Sequence, residues 1–139
     1  MTRDRVIIVD IDGTVALRRD RSPYDESRVH RDAPNRNIID VIDRLATTVP
    51  VIFLSGRTEA ARADTRRWLT RYLECGAESA LYMRAIGDRR NDAIVKEELY
   101  RRHIEPRNDV LCVFDDRDRV VAMWRRIGLT CLQVAYGDF

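Results

Sequence analysis

The chain has 139 residues, of which 25 are Lys or Arg and 23 are Asp or Glu, so its net charge is +2. This length suits one domain around one core over residues 1–139. With a net charge of only +2, the chain is not strongly basic overall. No run of 18 apolar residues occurs, which predicts that nothing spans a membrane. The three cysteines form no C-x-x-C pair, a pattern typical of thiols in a reducing cytoplasm, so we expect a cytoplasmic protein.

The first apolar run, residues 6–9, predicts a buried strand, and Asp10-Ile11-Asp12-Gly13-Thr14 follows it. Residues two apart on an extended chain point to the same side, so Asp10 and Asp12 are expected to enter one site. One carboxylate can attack phosphorus, and the other can protonate the leaving oxygen and later activate water.

Residues 15–35 are polar and rich in arginine, with no clear period, and are predicted to form a long loop or small flap. Five arginines of this flap are candidates to grip a phosphate backbone: Arg18, Arg19, Arg21, Arg28 and Arg31. Apolar residues at helical spacing then predict a helix over 36–46, with Asn35 as its N-cap.

A second strand is predicted over 51–54 and is followed by Ser55-Gly56-Arg57. A serine hydroxyl at a strand end can donate to a phosphoryl oxygen, and Gly56 would let the backbone approach the phosphate. A helix over 59–73 and a third strand over 80–83 follow.

The next predicted helix, residues 92–103, carries Asp92 and Lys96 four residues apart on one face, where they can pair. Lys96 is the only lysine among 25 basic residues. Because an ammonium and a guanidinium are not interchangeable at a tight site, we expect Lys96 to neutralise a transferring phosphoryl group, with Asp92 holding it in place.

A fourth strand, residues 110–114, is followed by Asp115-Asp116. Adjacent carboxylates repel each other, and a bound cation such as Mg²⁺ explains them best. A helix over 118–127 and a fifth strand over 130–135 complete the chain. Continuous apolar strands that alternate with helices predict an α/β fold, with a Rossmann-like parallel five-stranded sheet flanked by helices.

The order D-x-D-G-T, then Ser, then Lys, then Asp-Asp over positions 10–116 resembles the haloacid dehalogenase superfamily of phosphatases. Further segments resemble the 3′-phosphatase domain of bacteriophage polynucleotide kinase-phosphatases: residues 21–25, 55–57, 87–92, 95–98, 115–117, 123–128 and 137–139. The resemblance covers nearly the whole chain. It implies a haloacid dehalogenase-like fold with a small flap and, at this length, no large cap domain.

The resemblance also implies a role for each matching residue. Asp10 would be the nucleophile and Asp12 the general acid/base, while Ser55 and Lys96 would hold the phosphoryl group. Mg²⁺ would be held by Asp10, the Asp12 backbone, Asp115 and Asp116. The implied substrate-binding residues are Arg21, Gly56, Arg57 and Arg84.

The implied substrate is a 3′-phosphate end of DNA or RNA, with a 2′,3′-cyclic phosphate as a further candidate. No G-x-x-x-x-G-K-[ST] motif occurs, so a 5′-kinase would be a separate or fused partner. If the chain is phage-encoded, the expected compartment is the host cytoplasm.

Two alternatives stay open at this point. The first is a phosphatase of the same type for a small phosphate ester, which would gain nothing from a nucleotide chain. The second is a non-catalytic nucleic-acid-binding module, which the intact Asp10 disfavours.

Overall fold

A computed structural model describes residues 3–19 and 21–139; Met1, Thr2 and Asp20 lie outside the described residues. The strands are β1 Asp4–Val9, β2 Ala16–Leu17, β3 Ala33–Pro34, β4 Val51–Thr58, β5 Ala80–Arg84, β6 Asn108–Asp115 and β7 Cys131–Gln133. The α-helices are α1 Arg36–Ala46, α2 Arg62–Tyr72, α3 Asp92–Leu99 and α4 Asp118–Arg126. Short 3₁₀ turns cover Glu26–Arg31 and Glu59–Ala61, and a π-helical turn covers Tyr100–Ile104.

Five parallel strands form the main sheet in the order β5-β4-β1-β6-β7. Its centre is β1, where Val9 is paired with Phe53 on one side and with Phe114 on the other. The chain first builds outward through β4 and β5, and then crosses to the other side with β6 and β7. The strand order therefore reverses at β1, and a reversal of this kind opens a crevice outside the carboxyl ends of the strands.

The sheet is covered on both faces, which is why its strands are continuously apolar. Alternate residues of β1 enter different cores: Ile7 packs with residues of α1 and α2, and Ile8 packs with residues of α4 and the π-helical turn. Trp68 and Trp124 are buried on opposite sides of the sheet, as core residues. Both faces thus hold β1 rigidly, and Asp10 follows its last residue.

The five-stranded parallel sheet and its flanking helices confirm the predicted fold class. The boundaries differ in places. Strand β4 continues beyond residue 54 to Thr58, so Ser55, Gly56 and Arg57 lie in the strand rather than after it. The helix predicted over 59–73 starts as a 3₁₀ turn, and the one predicted over 92–103 changes to the π-helical turn after Leu99. Among the described residues, no helix combines the length and apolar character needed to cross a membrane.

The predicted flap, described except for Asp20, is more ordered than its polar sequence indicates. It contains the antiparallel pair β2–β3 and a 3₁₀ turn. The Glu26 carboxylate anchors the turn, because it accepts hydrogen bonds from the Thr58 backbone N–H and hydroxyl at 2.7 and 2.6 Å. Asn35 occupies the N-cap position of α1, but its side chain makes no cap and donates instead to the Thr14 carbonyl at 2.9 Å. No larger inserted domain occurs among residues 3–19 and 21–139.

Candidate active site

Asp10 lies at the carboxyl end of the central strand, and its side chain is almost fully buried. One carboxylate oxygen, Oδ1, accepts a hydrogen bond from Lys96 Nζ at 2.8 Å, and the other, Oδ2, accepts one from Thr14 Oγ1 at 2.9 Å. Burial and the neighbouring Asp115 carboxylate raise the pKa of Asp10 well above its usual range, although Lys96 opposes this shift.

Lys96 projects from α3 into the centre of the site and is only 2% exposed. Its ammonium lies 2.8 Å from Asp10, 3.1 Å from Asp115 and 3.7 Å from Asp92. Burial alone would lower the pKa of Lys96, but the carboxylates of Asp10, Asp115 and Asp92 outweigh it and raise the pKa well above its ordinary value. Lys96 therefore remains a cation in the absence of any ligand.

Three buried carboxylates, those of Asp10, Asp115 and Asp116, form a compact acidic group. Each offers an oxygen, and these oxygens all lie within 4.8 Å of one another. When all three carboxylates are ionised, the single ammonium of Lys96 leaves two negative charges, the charge that a divalent cation would balance. An all-oxygen donor set of this kind fits a hard cation such as Mg²⁺. Burial and the neighbouring Asp115 carboxylate also raise the pKa of Asp116.

Gly13 lets the chain turn away immediately after Asp10 and Asp12, the two carboxylates that follow β1. Its φ of +82° lies in the left-handed region, and a Cβ there would come within 2.1 Å of Asp116 Oδ2. The glycine is therefore needed twice, once for the turn and once for the space that Asp116 occupies.

Asp12 faces a different environment from Asp10. Its carboxylate accepts hydrogen bonds from Arg57 Nη2 at 2.7 Å and Nε at 3.0 Å, and from Arg21 Nη2 at 2.9 Å. Burial alone would raise the pKa of Asp12, but the charge and hydrogen bonds of Arg57, helped by Arg21, lower it below its ordinary value. The side chain of Asp12 is not part of the acidic group, so its predicted part in a metal site rests on the backbone.

Asp32 holds the two arginines in place from the other side. Its buried carboxylate accepts hydrogen bonds from Arg21 Nε and Nη2 at 2.8 and 2.9 Å, and from Arg57 Nη2 at 2.9 Å. Trp68 fixes the Asp32 main chain through an Nε1–H bond to its carbonyl. Arg21 and Arg57 are thus turned inward against carboxylates, and Arg21 does not share the exposed surface of the flap with Arg18 and Arg19.

Ser55 and Gly56 lie on β4, beside the end of β1. The Ser55 hydroxyl accepts a hydrogen bond from the Arg57 backbone N–H at 3.1 Å. This bond uses a lone pair, so it leaves the hydroxyl proton for another acceptor. Gly56 makes room for a side chain, because a Cβ there would lie 2.1 Å from Asp92 Oδ1.

Asp92 is held at the first turn of α3 by several cations. Arg84 Nη2 donates to its Oδ1 at 3.0 Å, while Lys96 and Arg117 each approach its Oδ2 to 3.7 Å. Arg84 also donates through Nε to the Gly56 carbonyl at 2.8 Å. The sequence predicted Arg84 as a substrate-binding residue, and the structure places its guanidinium against Asp92 and the β4 backbone. Asp92 in turn stands beside Lys96.

The last residues of the chain brace the loop that carries Asp115 and Asp116. Val134 N–H donates to the Asp115 carbonyl at 3.1 Å, and Asp118 N–H donates to the Gly137 carbonyl at 2.7 Å. Gly137 packs so closely that an added Cβ would lie 2.1 Å from the Asp116 carbonyl oxygen. The position of the second carboxylate therefore depends on this C-terminal segment.

The sequence did not indicate Asp32 or the bracing role of Gly137 as parts of the site. Asp32 stands alone in a polar flap, and no local pattern distinguishes it from the other acidic residues there. Thr14 belongs to the D-x-D-G-T motif, but its hydrogen bond to Asp10 was not predicted. The structure brings the predicted catalytic, metal-binding and orienting residues together at one edge of the sheet, with Arg21, Gly56, Arg57 and Arg84 beside them. The flap arginines Arg18, Arg19, Arg28 and Arg31 lie exposed on the flap instead.

The fold and this arrangement of carboxylates around one lysine define a phosphatase of the haloacid dehalogenase type. The chain belongs to the family of polynucleotide kinase PNKP phosphatase domains, whose model matches residues 4–139. More distant solved structures show the fold alone. The class C acid phosphatase from Bacillus anthracis with tungstate bound is 13% identical over 84% of this chain and 53% of that one, with a TM-score of 0.59.

Two closer relatives are much longer than this chain. A protein of Autographa californica nuclear polyhedrosis virus, assigned as a bifunctional polynucleotide kinase/RNA ligase, is 36% identical over 124 residues, which are 87% of this chain and 18% of the viral protein. A chain in the structure of the Pnkp1/Rnl/Hen1 RNA repair complex is 38% identical, with a TM-score of 0.91 over 99% of this chain and 44% of that one. The chain thus spans less than half the length of these relatives.

Proposed function

We propose that residues 1–139 act as a polynucleotide 3′-phosphatase domain, which removes the 3′-phosphate from RNA or DNA ends during nucleic-acid repair. Family membership supports the reaction, and the two longer relatives, a kinase/ligase and a component of an RNA repair complex, support the substrate. The observation that carries the proposal is the different surroundings of Asp10 and Asp12. Asp10 touches Lys96 and the acidic group, whereas Asp12 is held by two arginines.

In the first step, an Asp10 carboxylate oxygen attacks phosphorus, and the bond between phosphorus and the 3′ oxygen breaks. Asp12 gives its proton to the leaving 3′ oxygen, and an aspartyl-phosphate forms on Asp10. In the second step, Asp12 takes a proton from water, which attacks the same phosphorus. Inorganic phosphate leaves, and Asp10 regains its carboxylate. Lys96 and Ser55 hold the phosphoryl oxygens through both steps.

The arginine pair keeps Asp12 ionised in the free site, which suits its role as the base. A bound phosphate ester brings negative charge close to Asp12 and offsets the arginines, because like charges raise the pKa of a carboxyl. Asp12 can then carry the proton that the leaving oxygen needs. The pair of arginines therefore sets the balance between the acid and base forms of one residue.

Mg²⁺ is the cofactor that the acidic group fits best. Asp10, Asp115 and Asp116, with the Asp12 backbone, would hold it. When bound, it neutralises charge on the phosphoryl oxygens and lowers the pKa of Asp10, so that the nucleophile is ionised.

The test is phosphate release from a short oligonucleotide with a 3′-phosphate, beside its 5′-phosphate twin and glycerol phosphate, with Mg²⁺ or with a chelator. We expect Mg²⁺-dependent release from the 3′ end only, and none from Asp10→Asn. Asp109→Asn is the control, because Asp109 lies exposed at the opposite, amino end of the sheet, paired with Arg3. Release from glycerol phosphate but from neither oligonucleotide would keep the chemistry and overturn the substrate. No release from any of them by a folded protein would overturn the enzyme.

A further inference from the structure

A basic cavity opens on the flank of the protein, between the flap, the start of α1 and the end of α2. It measures about 710 Å³, and its lining includes Arg19, His30, Arg31, Asp32, Arg36 and Tyr72. Guanidinium groups are cations, and those of Arg19 and Arg36 bring positive charge to this space from two elements. Asp32 is the one acidic residue among the described lining residues, and its carboxylate is already bound by Arg21 and Arg57.

An aromatic side chain forms part of the wall and is held by cations on two elements. The guanidinium carbons of Arg36 and Arg71 lie 5.7 and 5.1 Å from the centre of the Tyr72 ring. Trp68 packs against the same ring at 4.9 Å between centroids. A fixed aromatic ring beside arginines is the combination that binds phosphates and stacks with nucleobases.

The cavity adjoins the active site through two arginines. Nη2 of Arg57 and Nη2 of Arg21 each donate both to Asp12 in the site and to Asp32 in the cavity wall. From there, α2 runs eleven residues from Arg62 to Tyr72, a length of about 16 Å. At roughly 3.4 Å per nucleotide of a stacked strand, a length of this kind corresponds to on the order of five nucleotides.

We propose that this cavity binds the phosphodiester backbone of the strand upstream of the 3′ end that enters the active site. The inference rests on the proposed function and adds to it a second binding site, which recognises a polynucleotide rather than a nucleotide. The arginines lie on separate elements, the flap and α1, and this spacing suits a series of phosphates. Contacts of this kind position a strand without reading its sequence.

The experiment compares wild type with the double variant Arg19→Gln/Arg36→Gln on 3′-phosphate oligonucleotides of 2 and 12 nucleotides. The same proteins are titrated with a labelled 12-nucleotide strand that ends in a 3′-hydroxyl. We expect the variant to raise KM for the 12-mer about 10–100-fold, the effect of losing one or two charge-assisted contacts, with kcat and the dinucleotide reaction unchanged. Its binding of the 12-mer should also depend less steeply on salt.

Two controls separate charge from position. Arg107→Gln removes an exposed arginine at the amino end of the sheet and should leave all measurements unchanged. Arg19→Lys/Arg36→Lys keeps the charges and should retain most of the 12-mer affinity.

The outcomes distinguish this inference from the proposed function. If the double variant binds and hydrolyses the 12-mer as wild type does, the cavity proposal is wrong and the 3′-phosphatase stands. If wild type releases no phosphate from either substrate, the proposed function fails, and the 3′-hydroxyl titration alone decides about the cavity. Weaker binding of that strand by the variant supports the cavity, and equal binding overturns it.

Discussion

The ammonium of Lys96 is the only positive charge in direct contact with the acidic group among the described residues. Removing it would leave three buried carboxylates without a counter-charge. We expect Lys96→Met to lower the free energy of unfolding by ~3–5 kcal/mol when no divalent cation is present, and to abolish phosphate release. Urea unfolding with and without Mg²⁺ measures this, and the loss should be smaller with the cation bound.

Arg101→Met is the matched control for Lys96→Met. Arg101 is about half exposed and pairs with Glu97 on the surface, so its loss should cost at most about 1 kcal/mol. Equal stability losses for the two variants would contradict the account of the buried lysine.

Arg57 controls the proton affinity of Asp12, because its charge and two hydrogen bonds are the strongest influence that lowers the pKa of this carboxyl. In Arg57→Gln the pKa of Asp12 should rise. Asp12 is then protonated, and unable to act as the base, up to a higher pH. The acidic limb of the kcat profile should therefore move to higher pH, by about 1 pH unit.

The pH profile of Arg66→Gln serves as the comparison. Arg66 lies on α2, and its guanidinium donates to the carbonyls of Gly76 and Ser79, away from the site. If the acidic limb of the kcat profile did not move in Arg57→Gln, or moved equally in Arg66→Gln, Asp12 would not control this part of the profile.

At the scale of the element, the turn after β1 can be tested with two glycines of nearly the same conformation. Gly13 has φ +82° and Gly87 has φ +84°, but only at Gly13 would a Cβ collide with Asp116; at Gly87 it would meet no described heavy atom within 4 Å. Alanine at either position should cost ~1–2 kcal/mol for the left-handed backbone. Only Gly13→Ala should also raise the Mg²⁺ concentration for half-maximal activity, by about 10–100-fold.

Unfolding curves and Mg²⁺ titrations of both variants separate backbone strain from the loss of space. If Gly87→Ala raised the Mg²⁺ concentration for half-maximal activity as much as Gly13→Ala, then backbone strain alone would explain the weaker Mg²⁺ binding. The close contact between Gly13 and Asp116 would then have no role in metal binding.

The elements that the sequence predicted best are those whose pattern is local. Uninterrupted apolar runs predicted the central strands β1, β4 and β6, because these strands are covered on both faces. The extension of β4 through Arg57 was not predicted, since Ser55 and Gly56 end the apolar run and pairing with β5 continues past them with a shift in register. The 3₁₀ turn of the flap was missed for a similar reason: Glu26 fastens it to Thr58, 32 residues away along the chain.

At the scale of the whole molecule, the sequence placed the reactive groups after strands but could not order the strands. The order β5-β4-β1-β6-β7 brings Asp10, Ser55 and Asp115 to one edge, and only long-range pairing fixes it. Asp32 could not be found for the same reason, because its partners Arg57 and Trp68 lie 25 and 36 residues away in sequence. The motif of the family could be recognised from the sequence, whereas Asp32, which holds the two arginines beside Asp12, could not.

In the proposed mechanism, Asp10 carries the phosphoryl group between the two steps. The direct measurement is to react the protein with an oligonucleotide labelled in its 3′-phosphate, quench in acid within a turnover, and locate the label by peptide mapping. We predict a hydroxylamine-sensitive phosphate on the peptide that contains Asp10, absent from Asp10→Asn. Steady release of 3′-phosphate by Asp10→Asn, or a label on another residue, would contradict the mechanism.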